Sequence, residues 1–194
     1  MSKPDIKSWT KTINDQTYLI STDINLHSPS FINSVFAMEE MYWAKPIDLD
    51  AIDLLLRNSC TLGLHLVNSS STSPTAYTPS DVTQIGISRL ITDYVTFAYL
   101  TDVFILPEHQ DGGLGKWLIA STKEVVLEMK FLRRFMLLTR CGPEYRTIPF
   151  YEKELGMQVH VPGVEGLVTM VRKKEEYPEE EMRLGRWGTV STVE

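Results

Sequence analysis

The sequence is poor in cysteine, in excess positive charge and in long apolar runs. Among 194 residues it has two cysteines, Cys60 and Cys141, and neither has a second Cys or a His at ligand spacing. That pattern argues against a zinc site and against a disulfide framework. Two buried free thiols in a reducing compartment are expected, and no metal. Lysine and arginine number 19 against 25 aspartates and glutamates, for a formal net charge of -6. A nucleic-acid partner is disfavoured, because phosphate binding needs a basic surface. No apolar run reaches the ~18 residues of a membrane span. The start, Met1-Ser2-Lys3-Pro4-Asp5, lacks the apolar stretch of a secretory signal. No membrane partner is expected, and the cytoplasmic compartment is the expected location.

What is present suits a packed core: 43% of the residues are hydrophobic. The length suggests one domain with tails. We expect a polar N-terminal tail over 1–16, a domain over 17–172 and a charged tail over 173–194. Residues 68–82, dense in Ser, Thr and Pro, read as a flexible hairpin insertion. Strands are expected at Thr17–Thr22, Leu62–Val67, Gln84–Ile91, Ala98–Leu106 and Arg134–Thr139, from their β-branched and apolar runs. Helices are expected at 25–37, Asp48–Ser59, Gly115–Lys130 and Pro149–Leu155. A last hairpin would pair Met157–His160 with Leu167–Arg172. This order predicts an α+β fold around one mixed sheet.

The sharpest local feature follows the apolar strand Asp102-Val103-Phe104-Ile105-Leu106. After Pro107-Glu108-His109 comes Gln110-Asp111-Gly112-Gly113-Leu114-Gly115-Lys116, then a long helical pattern. The glycines let the backbone turn tightly and expose bare N–H groups. The first amides of the helix are unpaired and partially positive, so the loop suits a phosphate or pyrophosphate. The nucleoside-triphosphate loop needs a glycine five places before Gly115-Lys116 and a Ser or Thr after; Gln110 and Trp117 stand there. The dinucleotide fingerprint would want Gly or Ala at Leu118.

Gln110, Gly113 and Gly115 instead resemble the Q/R-x-x-G-x-G/A signature of GNAT N-acetyltransferases. Tyr42-Trp43-Ala44-Lys45, the run from Thr92 to Glu108, and Gly113-Leu114-Gly115-Lys116-Trp117-Leu118 resemble a microbial and fungal GNAT subfamily, over about residues 18 to 172. Gln110 stands for the commoner arginine and Asp111 for glycine or lysine. The segment Cys141 to Tyr151 is longer than the family's usual turn, and Glu154-Leu155-Gly156-Met157 replaces Phe-Gly-Phe.

The resemblance implies a mostly antiparallel sheet of six to seven strands with about four helices. It implies acetyl-CoA as cosubstrate and direct transfer of its acetyl group to a primary amine of a small molecule in a ternary complex. Phe104, Ile105, Leu106, Gln110, Asp111, Gly112, Gly113, Leu114, Gly115 and Lys116 would hold the cosubstrate. The oxyanion donor would be a backbone N–H near Phe104 or Ile105, where that strand splays from its neighbour. Tyr151 would protonate the leaving thiolate, or else serve as a core aromatic. Tyr42, Trp43 and Tyr99 would wall the acceptor pocket. Homodimers are frequent in the family.

For the base, Asp102 is the first candidate, because a carboxylate in an apolar run is costly unless paired. A structural acid at a bulge is its other reading. Asp93 is the second candidate, or a turn residue in Thr92-Asp93-Tyr94. Two other functions stay open: acetylation of a protein or peptide amine, and an acyl-CoA-binding module without turnover, suggested by the reduced positive charge at Gln110 and Asp111.

Overall fold

The computed structural model describes residues 4–68, 77–110, 112–142, 144–161, 163 and 169–170. Its first strand corrects the expected tail over 1–16. β1 (Ser8–Ile13) pairs antiparallel with β2 (Gln16–Ser21). Between them Asn14 and Asp15 take φ of 47° and 63°. Asn and Asp tolerate the left-handed region best after glycine, and two such residues close a tight hairpin. Trp9 and Ile13 pack against the core.

β3 (Cys60–Val67), β4 (Val82–Thr92), β5 (Phe97–Ile105) and β6 (Arg134–Leu137) complete a six-stranded sheet in sequential order. Every neighbouring pair is antiparallel except β5 and β6, which are parallel. A parallel pair needs a crossover, and α3 (Leu114–Leu127) supplies it. α1 (Pro29–Phe36) and α2 (Leu49–Arg57) cover the other face. There Ile32, Val35, Ile52 and Leu56 pack with Ile87 and Phe104. On the α3 face, Leu114, Leu118, Ile119 and Val126 pack with Leu62, Leu64, Leu90 and Leu100. α4 (Thr147–Leu155) ends at Gly156, whose φ of 70° is a left-handed cap. Six strands and four α-helices among the described residues give the expected α+β class.

β3 and β4 pair antiparallel, and residues 69–76 of the insertion expected over 68–82 lie outside the described residues. The chain divides into two units, residues 1–157 and 158–194, and all the elements above lie in the first. In the second, the described residues form neither helix nor strand, so Met157–His160 is not the strand expected there. Of the expected partner, Leu167–Arg172, only residues 169 and 170 are described, and the tail 173–194 lies outside the described residues. Cys60 is a buried free thiol, but Cys141 is exposed, which corrects that expectation. It lies in a surface segment after β6, where no neighbour covers it.

Two histidines are sealed beneath the sheet. His27 and His65 have parallel rings, 4° between planes and 6.1 Å between centroids. Gly63 lies beside them: a Cβ there would come within 2.4 Å of His65 Nε2 and 2.7 Å of His27 Nδ1, so only glycine fits. Burial pushes His27 down to about 4, partly offset by the Thr61 carbonyl at 3.0 Å and by Asp23. Burial, then the charge of His27, pushes His65 down to about 3. Both folded values lie below the ordinary 6.5, so the unfolded chain binds protons that the fold refuses. Stability is therefore intact above pH 6.5 and lost as pH falls towards 4, at about 1.4 kcal/mol per unit for each histidine. Urea midpoints should fall between pH 7 and pH 5, and His65→Gln should roughly halve that dependence. An unchanged slope in the variant would contradict this assignment.

Candidate active site

β5 and β6 pair only from Phe97↔Arg134 to Leu100↔Leu137. β6 ends there, while β5 runs on to Ile105. The far half of β5 therefore presents an open edge, the splay anticipated from the resemblance. Leu106 N–H donates to the Ile85 carbonyl at 2.9 Å. With Ile87 opposite Phe104, the antiparallel alternation turns the Phe104 amide towards β4 as well. The Ile105 N–H and carbonyl then face the open side. The Ile105 carbonyl accepts from Gln110 Nε2 at 3.0 Å. Of Phe104 and Ile105, the register thus leaves Ile105 as the donor facing the slit.

Between Ile87↔Phe104 and Arg89↔Thr101, β5 carries one residue more than β4. Asp102 lies in this bulge with φ of 48°. Such a conformation costs about 1–2 kcal/mol for a non-glycine residue and persists only where its surroundings hold it. They do: Asp102 Oδ2 accepts from Arg89 Nε and pairs with Nη2, both at 2.6 Å. Its Oδ1 accepts from Trp43 Nε1 and Thr101 Oγ1, both at 3.1 Å. A carboxylate offers roughly four acceptor sites, and all are taken. These partners fit the reading of Asp102 as a satisfied acid at a bulge. Arg89 was not foreseen. Its signal was the cost of burying Asp102, which demanded a cation on the neighbouring strand.

Asp93 lies in the β4–β5 turn. Its Oδ1 accepts from the amides of Val95, Thr96 and Phe97, and its Oδ2 from Thr96 Oγ1. These bonds, the Thr96 hydroxyl first, hold its carboxyl well below the usual range. It pins the turn at the opposite end of β5 from the glycine loop and is a poor base, so the turn reading replaces the catalytic one.

The three aromatic candidates do converge. The Tyr42 and Trp43 rings meet edge to face at 4.9 Å, and Trp43 is tethered to Asp102. Burial raises the Tyr99 phenol, and the charges of Asp102 and Tyr42 add to it, against a hydrogen bond from the Leu138 backbone. Tyr42 and Trp43 stay 55% and 50% exposed. Arg140, also unforeseen, lies with its guanidinium 4.0 Å above the Tyr42 ring and 5.2 Å from that of Tyr145.

At the end of β5 the glycine loop is open. Gly112 and Gly113 have φ of 95° and 79°, and a Cβ at either would meet nothing within 4 Å. At Gly115 the nearest atom would be Ile105 Cδ1 at 3.9 Å. The first helix bond is Trp117 N–H to the Gly113 carbonyl. The amides of Gly113, Leu114, Gly115 and Lys116 find no acceptor among the described residues. Asp111 lies outside the described residues. Among the described residues no side chain fills this loop, whose open amides are of the kind that suit an anion.

Tyr151 stands on α4, packed against the α3-side core and edge to face with Phe150 at 5.3 Å. Burial raises its phenol. The hydroxyl has no hydrogen-bond partner among the described residues. A separate cavity of about 350 Å³, lined by Lys7, His27, Cys60, Tyr94 and Glu128 among others, contains none of these candidates. Among the described residues no group of three or more His, Cys, Asp or Glu could hold a metal ion. No helix among them is long and apolar enough to cross a membrane.

β5 and β6 thus part beyond Leu100↔Leu137, and the glycine loop with its unpaired amides follows the free end of β5. Residues 37–157 match the acetyltransferase (GNAT) family. A presumed acetyltransferase of Gibberella zeae is 39% identical over 162 residues, covering 81% of this chain and 85% of that protein. The solved structure of a presumed GNAT-family acetyltransferase from Xanthomonas campestris pv. campestris is 25% identical, with a TM-score of 0.58, covering 88% of this chain and 96% of that one. The chain belongs to the GNAT family and is an acyltransferase. Enzymes of this family generally draw their acetyl group from acetyl-CoA.

Proposed function

We propose that the protein transfers the acetyl group of acetyl-CoA to a primary amine of a small molecule by direct attack. The observation that carries this is the unpaired half of β5 beyond Leu100↔Leu137, which leads into the glycine loop whose amides find no acceptor among the described residues. The amides of Gly113 to Lys116 hold the diphosphate, with Lys116 beside it. Acetyl-CoA supplies an activated thioester, and the amine nitrogen forms the new C–N bond as the C–S bond breaks. The Ile105 N–H lies where negative charge on the thioester oxygen is stabilised. Tyr151 gives its proton to the departing sulfur and regains one from water. The acceptor ammonium loses one proton to water before attack, and the nitrogen's second proton leaves to solvent once the C–N bond has formed. Asp102 acts as a positioning residue, fixing Trp43 and Arg89.

The test is thiol release from acetyl-CoA across a broad amine panel, with N-acetyl products confirmed by mass. Turnover of at least one amine is expected. Tight acetyl-CoA binding with no turnover on any amine or peptide would overturn the reading in favour of a binding module. Tyr151→Phe should lower kcat by about 10- to 100-fold while the Kd for acetyl-CoA changes less than about twofold. Unchanged kcat would remove Tyr151 from the reaction.

A further inference from the structure

Arg140 lies over the Tyr42 ring and has no acid paired with it among the described residues. Arg89 is neutralised by Asp102. Arg140 takes part in neither ion pair of the described residues, and its guanidinium donates no hydrogen bond there. Its position is nonetheless fixed. The ring of Tyr42 lies 4.0 Å beneath it and that of Tyr145 lies 5.2 Å away. Thr147 Oγ1 donates to the Arg140 backbone carbonyl at 3.0 Å, tying the segment to the start of α4. A guanidinium laid on aromatic faces keeps its N–H fork free at the edge. That fork matches a carboxylate bidentately, and ring stacking has already removed much of the side chain's freedom.

The place of this fork decides what it reads. Arg140 rests on Tyr42, Tyr42 touches Trp43 at 4.9 Å, and Trp43 is bonded to Asp102 on β5. It therefore stands on the α1–α2 face, with the aromatic residues of the acceptor pocket. We propose that Arg140 binds a carboxylate carried by the acceptor, so that the substrate class is amino acids and related amino-carboxylates. This rests on the transferase reading above. A polyamine would bring a second cation towards Arg140 and is disfavoured. The same fork could instead meet a phosphate of the cosubstrate, and the experiment separates the two.

Each α-amino acid of a panel is paired with the amine that lacks its carboxyl group. The carboxylate member should be turned over with kcat/KM higher by about tenfold or more. Arg140→Gln should erase that preference by raising the acceptor KM, while the KM for acetyl-CoA stays within about twofold; Arg140→Lys should recover part of it. As a readout independent of turnover, calorimetry with N-acetyl amino acids should show binding that Arg140→Gln loses and that the corresponding N-acetyl amines never show. Equal kcat/KM within the pairs, or a rise in the acetyl-CoA KM instead, would overturn the proposal. If no amine is turned over, the transferase reading fails by itself and the calorimetry still decides whether Arg140 takes a carboxylate.

Discussion

Gly113→Val is expected to abolish measurable acetyl-CoA binding. Gly113 caps α3 at φ of 79°, and its Cβ position is open space. A valine there would project into the cradle where the diphosphate must approach the amides of Leu114, Gly115 and Lys116. The backbone strain of a β-branched residue at positive φ costs about 1–2 kcal/mol of stability, so the variant should stay folded with a modestly lower Tm. Binding should fall by about 100-fold or more, because several charge-assisted hydrogen bonds are lost together. Gly113→Asn is the control, since asparagine tolerates this conformation; its fold should be nearly intact and its binding still weakened. Acetyl-CoA that protects Gly113→Val against melting as it does the parent would contradict the loop assignment.

The second large effect is on stability. Asp102→Ala should cost about 3–5 kcal/mol, because it leaves Arg89 buried without its anion. The side chains of the pair are only 12% and 4% exposed, so solvent cannot compensate. It also removes the acceptor for Trp43 Nε1 and unlocks the bulge. Replacing both partners, Arg89→Met with Asp102→Leu, should restore much of the stability without restoring activity, because Trp43 and the bulge stay released. Urea denaturation and thiol release on the parent, Asp102→Ala and the double variant would measure this. Full activity in the stable double variant would show that the Asp102 anchor does not serve the site.

The glycine cradle was legible in the sequence because it is local: one strand, one loop and one helix start, contiguous from Asp102 to Lys116. Tyr42, Trp43 and Tyr99 were reachable through the resemblance, and they do meet around Asp102. What was not legible depends on register. The mid-strand position of Asp102 announced an expense, but its partner was set by a single-residue bulge that brings Arg89 opposite. Arg140 lies just before the segment Cys141 to Tyr151 that departs from the family pattern, and neither motif nor periodicity marked it. Asp93 was ambiguous between base and turn until its carboxylate was seen to accept four hydrogen bonds. The missed β1 was a matter of weighting, since Asn14-Asp15 carried a hairpin signal between two polar, threonine-rich runs.

The account stands on unspent amides at the start of α3. Titrating the isotope-labelled protein with coenzyme A and following backbone amide resonances tests it most directly. Gly113, Leu114, Gly115 and Lys116 should shift furthest, together with Ile105 at the open edge of β5. Saturation with the largest shifts elsewhere, and those amides unmoved, would contradict it.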